Sequence, residues 1–403
     1  KPKGAVCNLD CRYCYYRSKE ALYPEGHIHM RDDVLEAVTR QYIQASHSSV
    51  ITFSWQGGEP TLMGLAFFQR AIALQKQYAK PGLMIENVIQ TNGTLIDDAW
   101  CRFFADHHFL VGISLDGPPH LHDVYRVDNH GRGSAAEVTR AWRLLQTHGV
   151  NTNVLCCIHA ANQDHPIGVY RYFRDELNAR FIQFIPIVER SSRHASYSLL
   201  QQHTNQQRCP NLQGSGSEGL SPQYGVDPEK FGQFMMTVFD EWVRHDVGAV
   251  FIQMFDAALG AWLGQPASLC IFSPTCGNAL VLEHNGDVYC CDHFVDPAHW
   301  LGNIQQTPLV DLVSSNKLRA FGQAKRNALP DLCRKCPLRF TCHGGCPRER
   351  WMRTPDDAQG LSVLCPAYQA FFKHIAPHMR VMAQLVNQRR PPADILEMDI
   401  QGC

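Results

Sequence analysis

Apolar positions along this chain follow two rhythms. Between residues 2 and 190, short runs rich in β-branched and aromatic residues recur at 3–6, 50–55, 85–90, 110–114, 152–158 and 181–186. Amphipathic stretches separate them at 32–45, 65–78, 97–107, 135–148 and 166–176. In the second of these, Leu65, Phe68 and Ile72 keep a helical step, and Ala71 and Leu74 widen the same face. Six strands alternating with helices predict a parallel sheet with right-handed crossovers. Six units are too few to close the eight-stranded barrel of this kind. The expected fold is therefore α/β, a partial (β/α)6 barrel with an open lateral cleft. Its chemistry is expected at the C-terminal ends of the strands.

The pattern changes after this barrel, taken as residues 1–190. Residues 191–227 are polar, rich in Gln, Ser and Gly, and lack a period, which predicts a loop or linker. A helix is expected over 228–245, with Phe231, Phe234, Met235, Val238, Phe239 and Trp242 on one broad apolar face, inside a connecting helical segment 228–269. A small Cys-rich unit follows at 270–375. It holds a β-hairpin over 280–289, whose Asn285-Gly286 pair predicts a type I′ turn, and a helix over 308–324. Residues 376–403 read as a helix and tail.

Bulk composition changes this picture little, with one exception. The 403 residues are 45% apolar and 19% charged, with a formal net charge of −1. That balance gives no reason to expect nucleic acid or a membrane surface as partner. No apolar run reaches the roughly 20 residues of a membrane-crossing helix. The first residues, Lys-Pro-Lys-Gly, are not followed by the apolar core of a signal peptide, and an initiator Met is missing. The exception is cysteine, at 17 residues. An odd count grouped in short spacings argues against a disulfide framework and for metal ligation in a reducing cytoplasm.

The groups fall where the barrel places its chemistry. Cys7, Cys11 and Cys14 follow the first expected strand with spacing C-x3-C-x2-C. Three thiolates can hold three irons of a [4Fe–4S] cube and leave the fourth iron open. Gln56-Gly57-Gly58-Glu59-Pro60 follows the second strand. Two glycines let backbone carbonyls approach a ligand, and Glu59 adds an acceptor suited to an ammonium group; a plain turn is the simpler alternative. Ser114 and Arg126, near the fourth strand, are candidates for a carboxylate, with a surface ion pair the alternative for Arg126. Asn92 and Asp116 read equally well as turn formers. In the second half, Cys270, Cys276, Cys291, Cys333, Cys336, Cys342, Cys346 and Cys365 can be divided into two sets of four. Two fully ligated [4Fe–4S] clusters or two zinc sites would satisfy them. Cys101, Cys156, Cys157, Cys209 and Cys403 have no partner pattern.

The Cys7–Cys14 spacing with Tyr13 and the Gly57–Pro60 motif resembles the radical S-adenosylmethionine (radical SAM) superfamily. The later pattern, C-x9-G-x4-C followed by C-x2-C-x5-C-x3-C and a final Cys, is similar to the SPASM auxiliary-cluster domain. Cys14-Tyr15-Tyr16, Gln90-Thr91-Asn92-Gly93, Ser114-Leu115-Asp116-Gly117, Cys291-Asp292-His293 and Gly344-Gly345-Cys346-Pro347 narrow the resemblance to anaerobic sulfatase-maturating enzymes. That resemblance implies three [4Fe–4S] clusters and S-adenosyl-L-methionine (SAM) as cofactors. It places Tyr13 near the adenine, Gly57, Gly58 and Glu59 near the methionyl amino group, and Ser114 and Arg126 near the carboxylate. It implies an interleaved ligand set: Cys270, Cys276, Cys291 and Cys346 for one auxiliary cluster, Cys333, Cys336, Cys342 and Cys365 for the other. Cys291 is preferred to its neighbour Cys290 because it keeps the spacing.

The implied reaction oxidises a Cys or Ser of a sulfatase polypeptide, within a Cys/Ser-x-Pro-x-Arg segment, to Cα-formylglycine. An electron donor such as flavodoxin or ferredoxin is the second implied partner. Asp292, beside a cluster ligand, is the candidate base, and an acceptor that orients the cluster loop is its alternative role. Tyr16 and Gln56 are candidate substrate contacts. Two other readings stay open: a SPASM enzyme that crosslinks another ribosomal peptide, and a zinc-stabilised binding protein.

Overall fold

A computed structural model describes residues 1–23, 28–188 and 224–398. Its centre is one six-stranded sheet in sequential order, β1 Val50–Trp55, β2 Met84–Thr91, β3 Leu110–Ser114, β4 Asn151–Ile158, β5 Phe181–Pro186 and β6 Phe251–Ile252. Every neighbouring pair is parallel. The α/β partial barrel expected from the alternation is the fold observed. Helices Asp32–Ala45, Gly64–Tyr78, Asp98–Asp106 and Ala135–Thr147 fall where the amphipathic stretches predict them. Local chemistry fixes their starts. Asp97 accepts from the backbone N of Trp100, an N-cap contribution of about 1 kcal/mol. The stretch at 166–176 begins as helix Pro166–Arg171 and widens into a π turn over Tyr172–Glu176.

The membership of the sheet differs from expectation at both ends. Residues 3–6 are not a strand. They form tight turns, with Gly4 N donating to Lys1 O at 3.2 Å and Val6 N to Lys3 O at 3.1 Å. A four-residue stretch that follows Pro2 and contains Gly4 has too few ladder donors to compete with those turns. The sixth strand is instead Phe251–Ile252, inside the stretch expected to be helical, pairing with Phe181 and Ile182. The Trp242 indole donates to Val250 O at 2.7 Å and holds that strand against the preceding helix.

Helix Pro228–His245 has the predicted bounds and the predicted apolar face. Asp227 caps it through Glu229 N and Lys230 N. It packs on the long helix Cys365–Asn387, which runs through the expected boundary at 375. Gly232 allows the approach: a Cβ there would lie 3.0 Å from Ala367 Cα. Phe234, Phe239, Phe371 and Phe372 are buried between these helices and the sheet, each contributing roughly 1.5–3 kcal/mol.

The Cys-rich unit is built of short pieces. Its hairpin pairs Val281–Leu282 with Asp287–Tyr289, and a third strand, Trp300–Asn303, extends the sheet. The turn is not type I′. Gly286 N donates to Glu283 O and Gly286 alone takes positive φ (+91°), so a three-residue loop with a glycine bulge replaces the two-residue turn. The helix expected over 308–324 is two, Leu309–Val313 and Asn316–Asn327, because Ser315 leaves helical geometry to cap the second. The linker expected at 191–227 lies outside the described residues up to 223, as do Cys209 and Cys403.

Candidate functional site

The first thiol loop hangs from the barrel by backbone bonds. Gly58 N donates to Gly4 O at 2.8 Å and Glu59 N to Val6 O at 2.9 Å. A Cβ on Gly58 would sit 2.0 Å from Val6 O, a clash with backbone that no side-chain movement relieves. The sequence assigns the two glycines to ligand approach; their visible reason is the approach of the Cys loop itself. Asp10 N to Val127 O (2.7 Å) and Arg12 N to Tyr125 O (3.0 Å) hold the far side of the loop. Leu9 N and Asn92 Nδ2 both donate to Cys7 Sγ, at 3.3 and 3.6 Å. Asn92 therefore does more than form a turn. Burial pushes Cys7 up to about 11 and Cys11 up to about 12. Both carry protons until a metal displaces them.

Glu59 and Arg126 have other partners than the ones expected. Glu59 is fully buried, and its carboxylate accepts from Thr61 N, Thr61 Oγ1, Thr91 Oγ1 and Asn92 N, at 2.6–2.9 Å. It locks the loop after β2 that carries Asn92. Arg126 is buried, and it grips Asp116 with Nε at 2.8 Å and Nη2 at 3.1 Å. The Tyr13 hydroxyl donates to the same carboxylate, and the Arg126 guanidinium lies 5.5 Å over the Tyr13 ring. Arg126 is neither a surface ion pair nor an idle carboxylate binder. Ser114 is half-buried and accepts from Gln90 Nε2 at 3.0 Å. Gln56 is half-buried just before the glycines.

The later thiols separate into two neighbourhoods. Burial raises Cys276, Cys291 and Cys346; the nearby thiols that add to it are Cys270 for Cys276, Cys270 and Cys276 for Cys291 after Asp292, and Cys291 and Cys276 for Cys346 after Glu349. The second set is Cys333 (Cys365, Cys336), Cys342 (Cys365, Cys333, Cys336) and Cys365 (Cys336), again after burial. A cavity is lined by Cys333, Cys336, Cys342 and Cys365 together with Leu338, Tyr368 and Phe372. The buried hydroxyls of Tyr368 and Thr341 have no hydrogen-bond partner among the described residues. Orphaned donors beside four thiols fit a cluster whose sulfides accept hydrogen bonds. Among the described residues no three such side chains converge as they would on a single metal ion, whereas a cube spreads its ligands over four corners. Cys290 is buried, and the charged groups that bear on it are Lys317 and Asp296 rather than the other thiols.

Asp292 joins the two halves. The Tyr15 and Tyr16 hydroxyls donate to its Oδ2 at 2.6 and 2.7 Å. The Lys1 ammonium pairs with Oδ1 and, at 2.9 Å, with Glu283, while Lys19 donates to the Asp292 backbone carbonyl. Oδ1 makes no hydrogen bond of good geometry. Burial alone would push this carboxyl up, but Lys1 and Lys19 outweigh it and hold Asp292 well below the usual carboxylate range. The group is ionised, with Oδ2 held by the two tyrosines and Oδ1 by the Lys1 ammonium. Lys1, Tyr15 and Lys19 are absent from the sequence reading. Tyr15 lies inside a motif already quoted; the lysines carry no local signal. Tyr16, expected to touch substrate, turns its hydroxyl to Asp292.

A parallel α/β barrel with three thiols in its first loop, joined to a unit with two further sets of four, defines a radical SAM enzyme with auxiliary iron–sulfur centres. The family described as Radical SAM superfamily matches residues 2–173, and the SPASM family, described as an iron-sulfur cluster-binding domain, matches residues 270–337. Over 398 residues the chain is 42% identical to the serine-type anaerobic sulfatase-maturating enzyme of Bacteroides thetaiotaomicron, covering 98% of this chain and 93% of that one. It is 32% identical over 382 residues to the cysteine-type anaerobic sulfatase-maturating enzyme of Clostridium perfringens, covering 94% and 96%. The solved structure of native anSMEcpe with bound AdoMet and Cp18Cys peptide aligns at TM-score 0.80 and 32% identity, covering 96% of this chain and 98% of that chain. This chain belongs to the anaerobic sulfatase-maturating enzyme family. Among the described residues no helix is long and apolar enough to cross a membrane.

Proposed function

We propose that the chain oxidises a Cys or Ser side chain of a sulfatase to Cα-formylglycine. The observation that carries this reading is Asp292: ionised, half-buried, and tied by Tyr15 and Tyr16 to the stretch that follows the first thiol loop. A base poised between the two halves suits a reaction in which a substrate carbon gives up a hydrogen atom, then an electron and a proton.

Cys7, Cys11 and Cys14 hold the cluster with the open iron. Cys270, Cys276, Cys291 and Cys346 hold one auxiliary cluster, and Cys333, Cys336, Cys342 and Cys365 the other, within an auxiliary domain spanning 270–375. When bound, these groups and SAM supply the 5′-deoxyadenosyl radical that removes the hydrogen atom and the sink for the remaining electron. Asp292 takes the proton from the substrate heteroatom, while Tyr15 and Tyr16 fix the carboxylate through Oδ2 and Lys1 through Oδ1. Tyr13, Gly57, Gly58, Glu59, Ser114 and Arg126 frame SAM. Ser114 offers a hydroxyl to its carboxylate; Glu59 and Arg126 act through the loops they lock. Gln56 and the ring of Tyr16 line the approach of the peptide. A flavodoxin or ferredoxin supplies electrons, and the abundance of thiols favours a cytoplasmic setting.

Anaerobic reconstitution with iron, sulfide and SAM tests the reading on peptides carrying Cys-x-Pro-x-Arg or Ser-x-Pro-x-Arg. The expected product is an aldehyde on at least one peptide, read by mass, with 5′-deoxyadenosine released alongside it. Release of 5′-deoxyadenosine with no aldehyde on either peptide would move the chain to another peptide modification.

A further inference from the structure

We propose that the surface around Cys333 and Cys336 is the docking site of an acidic one-electron carrier protein. The proposal rests on the reading that the Cys333 group holds an iron–sulfur cluster. Cys336 is half-exposed, and Leu332 and Phe340 beside it are 42% and 45% exposed, an apolar centre open to solvent. Arg326, Arg334, Lys335 and Arg339 surround that centre and are all exposed. A concavity lined by Arg326, Arg334 and Arg339 runs along one side. Two carboxylates oppose these four cations. Asp331 stands 3.9 Å from Arg334 and 3.8 Å from Lys335, and Asp356 feels Lys335. The patch stays basic in a chain whose formal net charge is −1.

An apolar centre inside a charged rim is the anatomy of a protein interface, and a single-sign rim raises the encounter rate with a partner of opposite sign. Redox partners meet over small, wet interfaces of this kind. The occupant is a carrier and not the peptide substrate, because the groups on Asp292 (Lys1, Tyr15, Tyr16 and Lys19) all lie outside the patch. Converting a CH2–SH side chain to CH=S removes one hydrogen atom, one electron and one proton. The carrier in its oxidised form is the acceptor for that electron, and the base takes the proton.

An acidic flavodoxin is the probe, titrated anaerobically against the reconstituted full-length enzyme at low ionic strength. The variant is Arg326→Glu/Lys335→Glu, chosen because neither side chain holds a backbone carbonyl, unlike Arg334 and Arg339. Lys76→Glu/Arg102→Glu, on the barrel helices, is the control. The first variant is expected to weaken flavodoxin binding by about tenfold or more. Repeated turnover to aldehyde should fall with flavodoxin as the redox partner, a single turnover started with dithionite should hold because the auxiliary clusters can keep its one electron, and the control should match wild type in both. Unchanged binding, or an equal loss with flavodoxin and dithionite, overturns the proposal. The binding readout needs no sulfatase peptide, so a failure of the maturation reading is seen separately.

Discussion

Two carboxylates, Asp116 buried in the barrel and Asp292 half-buried at the junction, are built from the same parts and put to opposite uses. Each meets a tyrosine hydroxyl and a cation, and in each burial pushes the pKa up while the cations pull it below the usual range. Asp116 is closed. Tyr13, both Arg126 nitrogens and Cys157 N use its two oxygens, His159 stands 3.4 Å away, and no part of it reaches solvent. Asp292 keeps 18% of its side chain exposed, although Lys1 pairs with Oδ1 and the two tyrosines with Oδ2. The proposed chemistry needs the second kind. A carboxylate sealed from solvent positions its neighbours, while one that still meets solvent can exchange a proton.

The contrast is tested hardest by removing each group. Asp116→Ala strands the buried Arg126 and is expected to cost about 3–5 kcal/mol. The loop carrying Tyr13 should loosen, and reconstituted iron should drop from about twelve to about eight per chain. Full iron with a normal melting temperature would make Asp116 dispensable. Asp292→Asn should keep its iron and release 5′-deoxyadenosine near the wild-type rate, yet lower aldehyde formation by about 10²–10⁴; unchanged turnover would remove it as the base.

In the closed half a pH change acts through His122. His122 Nδ1 accepts from Asp116 N, and burial pushes the imidazole down to about 3, so it is neutral when folded. An unfolded histidine titrates near 6.5, so stability is full above that value and declines as pH falls toward 3. By pH 5 the loss should reach about 2 kcal/mol, read as a lower melting temperature that His122→Asn does not share. Tyr16→Phe should be milder than either aspartate change. Tyr15 still holds Oδ2, so aldehyde formation falls about tenfold with clusters intact. Arg70→Ala, which breaks an exposed pair with Asp32, should leave melting temperature and turnover unchanged.

Much of this was legible before any coordinates. Helices 32–45 and 228–245 announce themselves by long apolar periods, and the thiol groups by spacing. Phe251–Ile252 did not, because two residues carry no period and pairing with β5 alone makes them a strand. Residues 3–6 erred the other way: a short apolar run was overruled by turn chemistry at Pro2 and Gly4. The protein partners of Glu59 and Arg126 went unforeseen for a different reason. A charged residue in a motif invites a ligand, but full burial demands that neighbours satisfy it first. Lys1 and Lys19 reach Asp292 across more than 270 positions, and nothing in their local sequence reports it.

The span between Lys1 and Asp292 also imposes an order in time. A chain made from its N-terminus acquires the first three thiols at once, yet the loop has no anchors until Gly58, Tyr125 and Val127 have been added. Asp292, the proposed base, comes later still, after the last barrel strand at Phe251–Ile252. The barrel is therefore complete, as a polypeptide, before the proposed base is added. Cluster delivery timed after release of the whole chain would keep the initiator from being armed without its base.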